Sequence, residues 1–265
     1  MKYSIITPVY NREDCIARCI ESVLLQKNIR HLFGEIEHII INDGSNDSTD
    51  TICKKYAKNN PIIKYLSFPK NKGTNAARNA GIKAAIGTFC IILDSDDYFV
   101  DNALNIINNV VSNNSYSEYI FSANDMLEKY SSNTLLNKNK QAVLTYIDFL
   151  SEKVSGDFIH VIKTGILKHH PFDEKLRIHE FIFFLQFYKE SKNILFTNEV
   201  VTIRERSRKD SVTRETIRTN KEIINRNLKA TTLLLNNFKD EYIKYGLTHL
   251  LSSYTQQKIE NALLL

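Results

Sequence analysis

The chain has 265 residues and a formal net charge of +5, enough length for one large domain that needs neither disulfide nor structural metal to fold. Its 43% hydrophobic and 25% charged residues are those of a globular protein in water, and the scattered basic excess argues against a nucleic-acid partner. The four cysteines, Cys15, Cys19, Cys53 and Cys90, lack Cys-x-x-Cys spacing and sit in apolar-periodic stretches, which predicts buried free thiols rather than a disulfide framework or zinc site.

No long apolar region precedes a cleavage site at the N-terminus, and no run reaches the length of a bilayer span. A cytoplasmic location is therefore expected. Tyr3 to Thr7 reads as a buried strand stopped by Pro8, followed by a helix from Cys15 to Gln26 with Ile16, Ile20, Val23 and Leu24 on one face. Ile36 to Ile41 is a second strand, ended by the turn-forming run Asn42 to Asp47. A helix from Thr49 to Lys58, a strand from Ile62 to Phe68 and an Ala-rich helix from Asn75 to Ala85 follow. Gly87 stands where a helix C-terminus favours a left-handed residue, and Phe89 to Leu93 is continuously apolar, as a strand covered on both faces is. Beyond Asp97, Ala103 to Val111 reads as helix and Tyr119 to Ala123 as strand. Glu128 to Gln141 reads as a mobile loop, Phe181 to Tyr188 as an aromatic-rich helix, and residues from Thr219 onward as helices broken near Lys239-Asp240.

Alternation of strands and helices predicts an α/β fold with a mostly parallel, right-handedly wound central sheet. In such sheets ligands bind beyond the carboxyl ends of the strands. The polar segments Thr7 to Arg12, Asn42 to Asp47, Asn71 to Asn75 and Asp94 to Asp97 all fall at those ends, so they are expected to converge.

Asp94-Ser95-Asp96-Asp97 follows an apolar strand directly, and three carboxylates within four residues repel one another. A divalent ion relieves that repulsion, and oxygen ligands favour Mg²⁺ or Mn²⁺ bridging to substrate phosphates; an acidic helix cap explains one aspartate but not three. Asp43, at a strand end, suits either a ribose or base contact or a plain Asx-turn. Lys72 to Gly81 opens a helix in which Gly73 permits close backbone approach and Arg78 can reach an anion; for any one residue, packing at Gly81 or a salt bridge at Arg78 is the alternative. Neither a P-loop nor Gly-x-Gly-x-x-Gly is present, which argues against a dinucleotide-dependent dehydrogenase.

Thr7-Pro8-Val9-Tyr10-Asn11, Asn42-Asp43-Gly44-Ser45, Asn71-x-Gly73 with Ala77-Arg78-Asn79-x-Gly81, and Asp94-Ser95-Asp96-Asp97 occur in this order. Together they resemble the family-2 glycosyltransferases, inverting enzymes of GT-A (Rossmann-like) fold, over roughly residues 3 to 100. The resemblance implies that Thr7, Pro8 and Tyr10 line a nucleoside pocket, that Asp43 contacts the base and that Arg78 lies beside the nucleotide. Asn11, Asp94 and Ser95 join them as donor-binding candidates. Asp96 would approach ribose and diphosphate, and Asp96 or Asp97 the metal. Phe172-Asp173-Glu174-x-Leu176 with His179-Glu180 resembles the segment that supplies the catalytic base; many relatives carry Glu-Asp where this chain has Glu180-Phe181. Glu180 is the assigned base, with Asp173 or Asp157 as alternatives. Arg204, Arg206 and Ser211-Val212-Thr213 resemble a segment that closes over the donor diphosphate.

The expected reaction is transfer from a nucleotide-diphosphate sugar, UDP-linked by expectation, to an acceptor hydroxyl of a glycan or lipid-linked oligosaccharide. Bacterial surface-glycan assembly is the implied setting. A non-catalytic nucleotide-sugar-binding module is the main rival. A nucleotidyltransferase would need a Gly-rich triphosphate loop that Pro8-Val9-Tyr10-Asn11 does not provide. Residues 1–215 are expected to form the catalytic domain, with a nucleotide-binding half to about residue 100. Residues 216–265 are expected to form a helical appendage, whose Leu-rich faces suit packing on that domain, on a second copy, or on the inner face of the cell membrane.

Overall fold

The structure is a computed structural model that describes residues 2–26, 36–136, 141–176, 179–204 and 221–265. Arg206 and Ser211 to Thr213 lie outside the described residues. The N-terminal half alternates as the sequence predicts: β1 (Tyr3–Val9), α1 (Ile16–Gln26), β2 (Ile36–Asn42), α2 (Thr49–Asn59), β3 (Ile63–Ser67), α3 (Thr74–Ala84) and β4 (Phe89–Ile92). Then come β5 (Tyr98–Phe99), α4 (Ala103–Ser112), β6 (Glu118–Ala123), α5 (Leu127–Ser131), β7 (Gln141–Thr145), α6 (Tyr146–Leu150), β8 (Ile159–Lys163) and α7 (Thr164–Leu167). The chain continues through α8 (Glu180–Ser191), β9 (Asn193–Ile203), α9 (Lys221–Lys244) and α10 (Thr248–Leu263).

One mixed sheet runs through the molecule in the order β3-β2-β1-β4-β8-β6-β9-β5, with β7 also paired to β9. The stretch β3-β2-β1-β4 is parallel. Strand β8 is antiparallel to both β4 and β6, while β9 is parallel to β6 and antiparallel to β5 and β7. The winding reverses at β1, which has β2 on one side and β4 on the other, so the crevice between the β1 and β4 loops is the switch point where such sheets bind ligands. Every residue of β1 and β2 is buried, as strands covered on both faces require. Successive β1 residues serve opposite faces: Ile5 joins Ile16, Ile20 and Leu104, and Ile6 joins Ala77, Ile82 and, farther along the same core, Leu234 and Phe238.

Several elements depart from the sequence pattern. Strand β1 continues through Pro8, which pairs with Ile41. Because β4 accompanies β1 only from Tyr3 to Ile6, Pro8 sits where β1 has become an edge, and its missing N–H leaves no rung broken. Gly87 does not cap α3, whose C-cap is Ala85. A Cβ at Gly87 would instead stand 2.7 Å from Ser4 Oγ and 2.8 Å from the Ser4 nitrogen. The segment expected to be a mobile loop begins with α5 and buries Tyr130 and Leu136. Helix α9 passes through Lys239-Asp240 unbroken, because Phe238 and Tyr242 on its inner face are packed into the core; it ends before Gly246, whose φ is 69°. Helix α10 lies against α9 and buries none of its residues completely. All four cysteines are free and buried, as expected. No helix among the described residues is long and apolar enough to cross a membrane.

Two features of this core make measurable predictions. A Cβ at Gly81 would collide with Ile6 Cγ2 and come 2.8 Å from Ile41 Cδ1, so glycine is what seats α3 on the sheet. Gly81→Ala is expected to lose about 1–3 kcal/mol in urea denaturation although alanine gains roughly 1 kcal/mol of helix propensity; a neutral or stabilised variant would show that α3 is free to lift. His38 is fully buried with its Nε2 2.9 Å from Thr7 Oγ1, and burial pushes its pKa down to about 3. The unfolded chain takes up that proton near pH 6.5 and the folded one does not, so stability is whole above 6.5 and drains as the pH falls toward 3. Between pH 6.5 and pH 5, His38→Gln should lose about 1.5 kcal/mol less stability than the parent, in the window where the buried ring stays neutral.

Candidate active site

The loops after β1 and β2 are fastened to each other through Asn11. Held at a left-handed φ of 50°, Asn11 donates its N–H to Ser45 Oγ (3.0 Å) and accepts the Asn46 N–H on Oδ1 (3.0 Å). The Arg12 N–H bonds to Thr49 Oγ1 at 2.8 Å. Tyr10 stands 40% exposed above this seam, while Pro8 and Thr7 lie buried beneath it. Asp43 is 2% exposed, and its carboxylate accepts the backbone N–H of Lys72 (2.7 Å) and of Gly73 (2.9 Å). It thereby ties the end of β2 to the loop that starts α3. Charge-assisted bonds to main-chain N–H groups are stronger than neutral ones, so this one side chain sets the position of a third loop.

The fourth loop follows β4. Its backbone is held from below by α1 and the residue before it: the Cys19 thiol points at the Asp94 carbonyl, the Cys15 thiol at the Ser95 carbonyl, and Arg18 Nη2 reaches the Asp96 carbonyl at 3.4 Å. Immediately beyond, β5 pairs with the end of β9, Tyr98 opposite Ile203. That pairing carries Arg204 to the acidic loop, with Nε 3.6 Å from Asp97 Oδ2 and Nη1 3.1 Å from Asp157 Oδ2. Burial, with Asp94 as the next cause, pushes the Asp97 pKa up to about 8 in spite of Arg204.

Among the described residues no three acidic, imidazole or thiol groups form a preassembled metal cage. Mg²⁺ and Mn²⁺ do not require one, since they keep waters and take one or two carboxylates together with substrate phosphates. A carboxyl held protonated by burial and neighbouring charge is stabilised in its ionised form by a cation. Asp97 is such a carboxyl, so the acidic loop after β4 fits a divalent ion.

Helix α3 joins this edge to the second half of the chain. Asn75, Arg78 and Asn79, at i, i+3 and i+4, lie on one face. Asn79 donates to the Phe172 carbonyl (3.0 Å) and accepts the Phe172 N–H (2.9 Å), and Asn75 donates to the carbonyls of Asp173 (3.0 Å) and Leu176 (3.3 Å). Between them Arg78, only 14% exposed in its side chain, places Nη1 3.0 Å from Glu180 Oε1 and Nη2 3.3 Å from Asp94 Oδ1. Glu180 opens α8 and keeps a quarter of its side chain in solvent. Of the alternative bases, Asp173 is paired with Lys229 at 3.0 Å and Asp157 with Arg204.

The residues singled out from the sequence thus gather along one edge. Asn11 and Asp43 organise loops, Asp94 and Glu180 meet through Arg78, and Asp97 and Arg204 meet through β5 and β9. Asn75, Asn79 and Asp157 complete the arrangement. The asparagines stood inside the Lys72–Gly81 motif, and their shared helix face was the available signal; Asp157, an alternative base in the sequence, is held by Arg204.

Comparison with known proteins identifies the family and the fold. The family model described as glycosyl transferase family 2 matches residues 4–140. A Campylobacter jejuni protein named GalNAc(5)-diNAcBac-PP-undecaprenol beta-1,3-glucosyltransferase is 30% identical over 217 residues, covering 80% of this chain and 67% of that protein. The Bacillus subtilis uncharacterized glycosyltransferase EpsJ is 43% identical over 95 residues, 36% of this chain and 26% of EpsJ. The chain thus spans about two thirds of the first relative and about a quarter of the second. Two solved structures share the fold. S. aureus TarS 1-349 in complex with UDP-GlcNAc has a TM-score of 0.71 and 20% identity, over 89% of this chain and 67% of that one. A Pyrobaculum calidifontis mannosyltransferase in complex with GDP-Man and Mn2+ has a TM-score of 0.68 and 14% identity, over 99% and 73%. On its matched motifs and its sheet, the chain belongs to glycosyl transferase family 2.

Proposed function

We propose that the chain transfers a sugar from a uridine-diphosphate sugar to a hydroxyl of a glycan or lipid-linked saccharide, with inversion at the anomeric carbon. The observation that carries this reading is the Arg78 bridge, which sets Glu180 beside the acidic loop after β4. A donor diphosphate beyond that loop and an acceptor at Glu180 would then face each other across a short gap. The UDP-GlcNAc of the TarS complex supports a uridine donor, and the name of the Campylobacter relative supports a lipid-linked acceptor.

In this reaction the acceptor oxygen attacks the anomeric carbon as the bond to the diphosphate breaks. Arg78 holds one oxygen of Glu180, and the carboxylate takes the proton leaving the acceptor hydroxyl. The electron pair of the broken bond departs with the nucleoside diphosphate. Asp96 and Asp97 would hold a divalent ion, which would supply neutralising charge for that leaving group. Arg204, set beside Asp97, adds fixed positive charge at the same edge. Asp43 keeps the loops around the nucleoside in register by its bonds to Lys72 and Gly73.

Two measurements test this. In a thermal-shift panel of nucleotide sugars with Mg²⁺ or Mn²⁺, a UDP-sugar is expected to stabilise the chain. Asp43→Ala should weaken that donor about 10- to 100-fold, because bonds to a buried charged group are lost; no shift with any nucleotide sugar would remove the assignment. Glu180→Gln should lower kcat about a hundredfold to ten-thousandfold while donor affinity is kept. Activity within tenfold of the parent would move the base to Asp157 or Asp173.

A further inference from the structure

Glu180 is the first residue of α8, and the start of a helix is its least constrained part, because the first N–H groups have no partner within the helix. The N-cap residue, His179, makes no capping bond with its side chain. Arg78 holds one carboxylate oxygen of Glu180. That bond orients the end of the side chain and leaves the backbone beneath it to be fixed from elsewhere. On one side the segment leading into α8 is gripped by α3 through Asn75 and Asn79. Its other side belongs to α9.

His179 Nε2 lies 2.9 Å from Asn227 Oδ1, and Lys229 Nζ lies 3.0 Å from Asp173 Oδ2. An amide oxygen only accepts, so the bond to Asn227 needs the ring proton on Nε2. Burial holds the pKa of His179 below the ordinary histidine value, against the opposing pull of Asn227 and Glu180. A neutral ring carries one N–H, and Asn227 assigns it to Nε2. The helix behind Asn227 is firmly seated. Ile223 one turn before it and Ala230 one turn after it are buried, and Leu234 and Phe238 belong to the same core as Ala77 and Ile82 of α3. Asparagine is a weak helix former, so helix propensity does not account for its place in the middle of α9. A rigid path thus runs from the core through α9 and Asn227 to His179, and from there across one peptide bond to Glu180.

We infer that Asn227 and His179 are positioning residues, a tether from α9 that pins the head of α8 and so aims the Glu180 carboxylate. The inference rests on Glu180 being the base of the proposed function. Neither side chain takes part in the chemistry; each acts through Glu180. Misplacing a catalytic group by about 1 Å costs roughly a hundredfold in rate, so loss of the tether is read in turnover rather than in donor binding. The C-terminal helical region is thereby a working part of the site rather than a separate attachment.

Steady-state kinetics of the full chain test it, read as UDP release from UDP-glucose or UDP-GlcNAc with octyl hexosides or water as acceptor. Asn227→Ala and His179→Phe should each lower kcat about ten- to hundredfold, with the donor KM held within about twofold. Both break the same bond, so the double variant should lose no more than the single ones. His179→Gln, which keeps an N–H near the Nε2 position, should recover most of the loss. Nitrogen NMR of the histidine rings should show His179 as the Nε2–H tautomer, a preference that vanishes in Asn227→Ala. Unchanged kcat in Asn227→Ala, losses that multiply in the double variant, or a fall in donor binding as large as the fall in kcat would each overturn the inference. An Nδ1–H tautomer at neutral pH would do the same. Glu180→Gln in the same assay separates the two failures. If it keeps UDP release, or the parent chain shows none, the base assignment falls and the tether's role with it. If it loses turnover while Asn227→Ala does not, only the tether falls.

Discussion

The whole edge depends on one largely buried guanidinium. Arg78 lies on α3, and its two terminal nitrogens bond Asp94, sixteen residues on, and Glu180, 102 residues on. Planar, always charged and able to bond two carboxylates at once, arginine is suited to this position in a way lysine is not. Without it Asp94 and Glu180 would face each other as bare like charges. With it, the loop after β4 and the start of α8 become parts of one surface. Breaking such a pair leaves a buried charge uncompensated, so the link couples stability to the site.

The rest of the edge follows the same logic of bringing distant segments together by groups that cannot be left unsatisfied. Asp43 captures two main-chain N–H groups, Asn11 bridges two loops, and the short β5 exists to hold the acidic turn against β9. Backbone groups buried without partners are costly, so each loop has a narrow choice of positions. Four loops that would wander singly are thus fixed before any ligand arrives, which is the preorganisation that electrostatic catalysis requires.

Much of this was legible in the sequence where the physics is local. Apolar runs alternating with helical periods gave β1 to β4 and α1 to α3 within a residue or two, and three aspartates after a strand marked the acidic turn. What depends on pairing between distant segments was not legible. Nothing local to Pro8 reveals that β4 has already turned away, and nothing in the polar run after Glu128 reveals that Tyr130 will stack on Phe158 at 5.0 Å. Arg78 is the sharpest case. Its motif pointed to a nearby anion, and the residues bonded to it prove to be carboxylates of the chain itself, one of them supplied by a segment whose position no periodicity encodes. The strands β6 to β9 are likewise set by long-range pairing, parallel between β6 and β9 and antiparallel elsewhere.

The way α3 grips the second half bears on how such a chain can diversify. Asn75 and Asn79 hold main-chain atoms of Phe172, Asp173 and Leu176. Those bonds are indifferent to which side chains the gripped segment carries. Arg78 demands a particular partner, a carboxylate at the head of α8, and Asn79 also donates to the Glu174 carboxylate at 3.2 Å. The grip thus combines main-chain bonds with a few keyed side chains. Side chains of the gripped segment that no bond from α3 reads can be exchanged without loosening the grip.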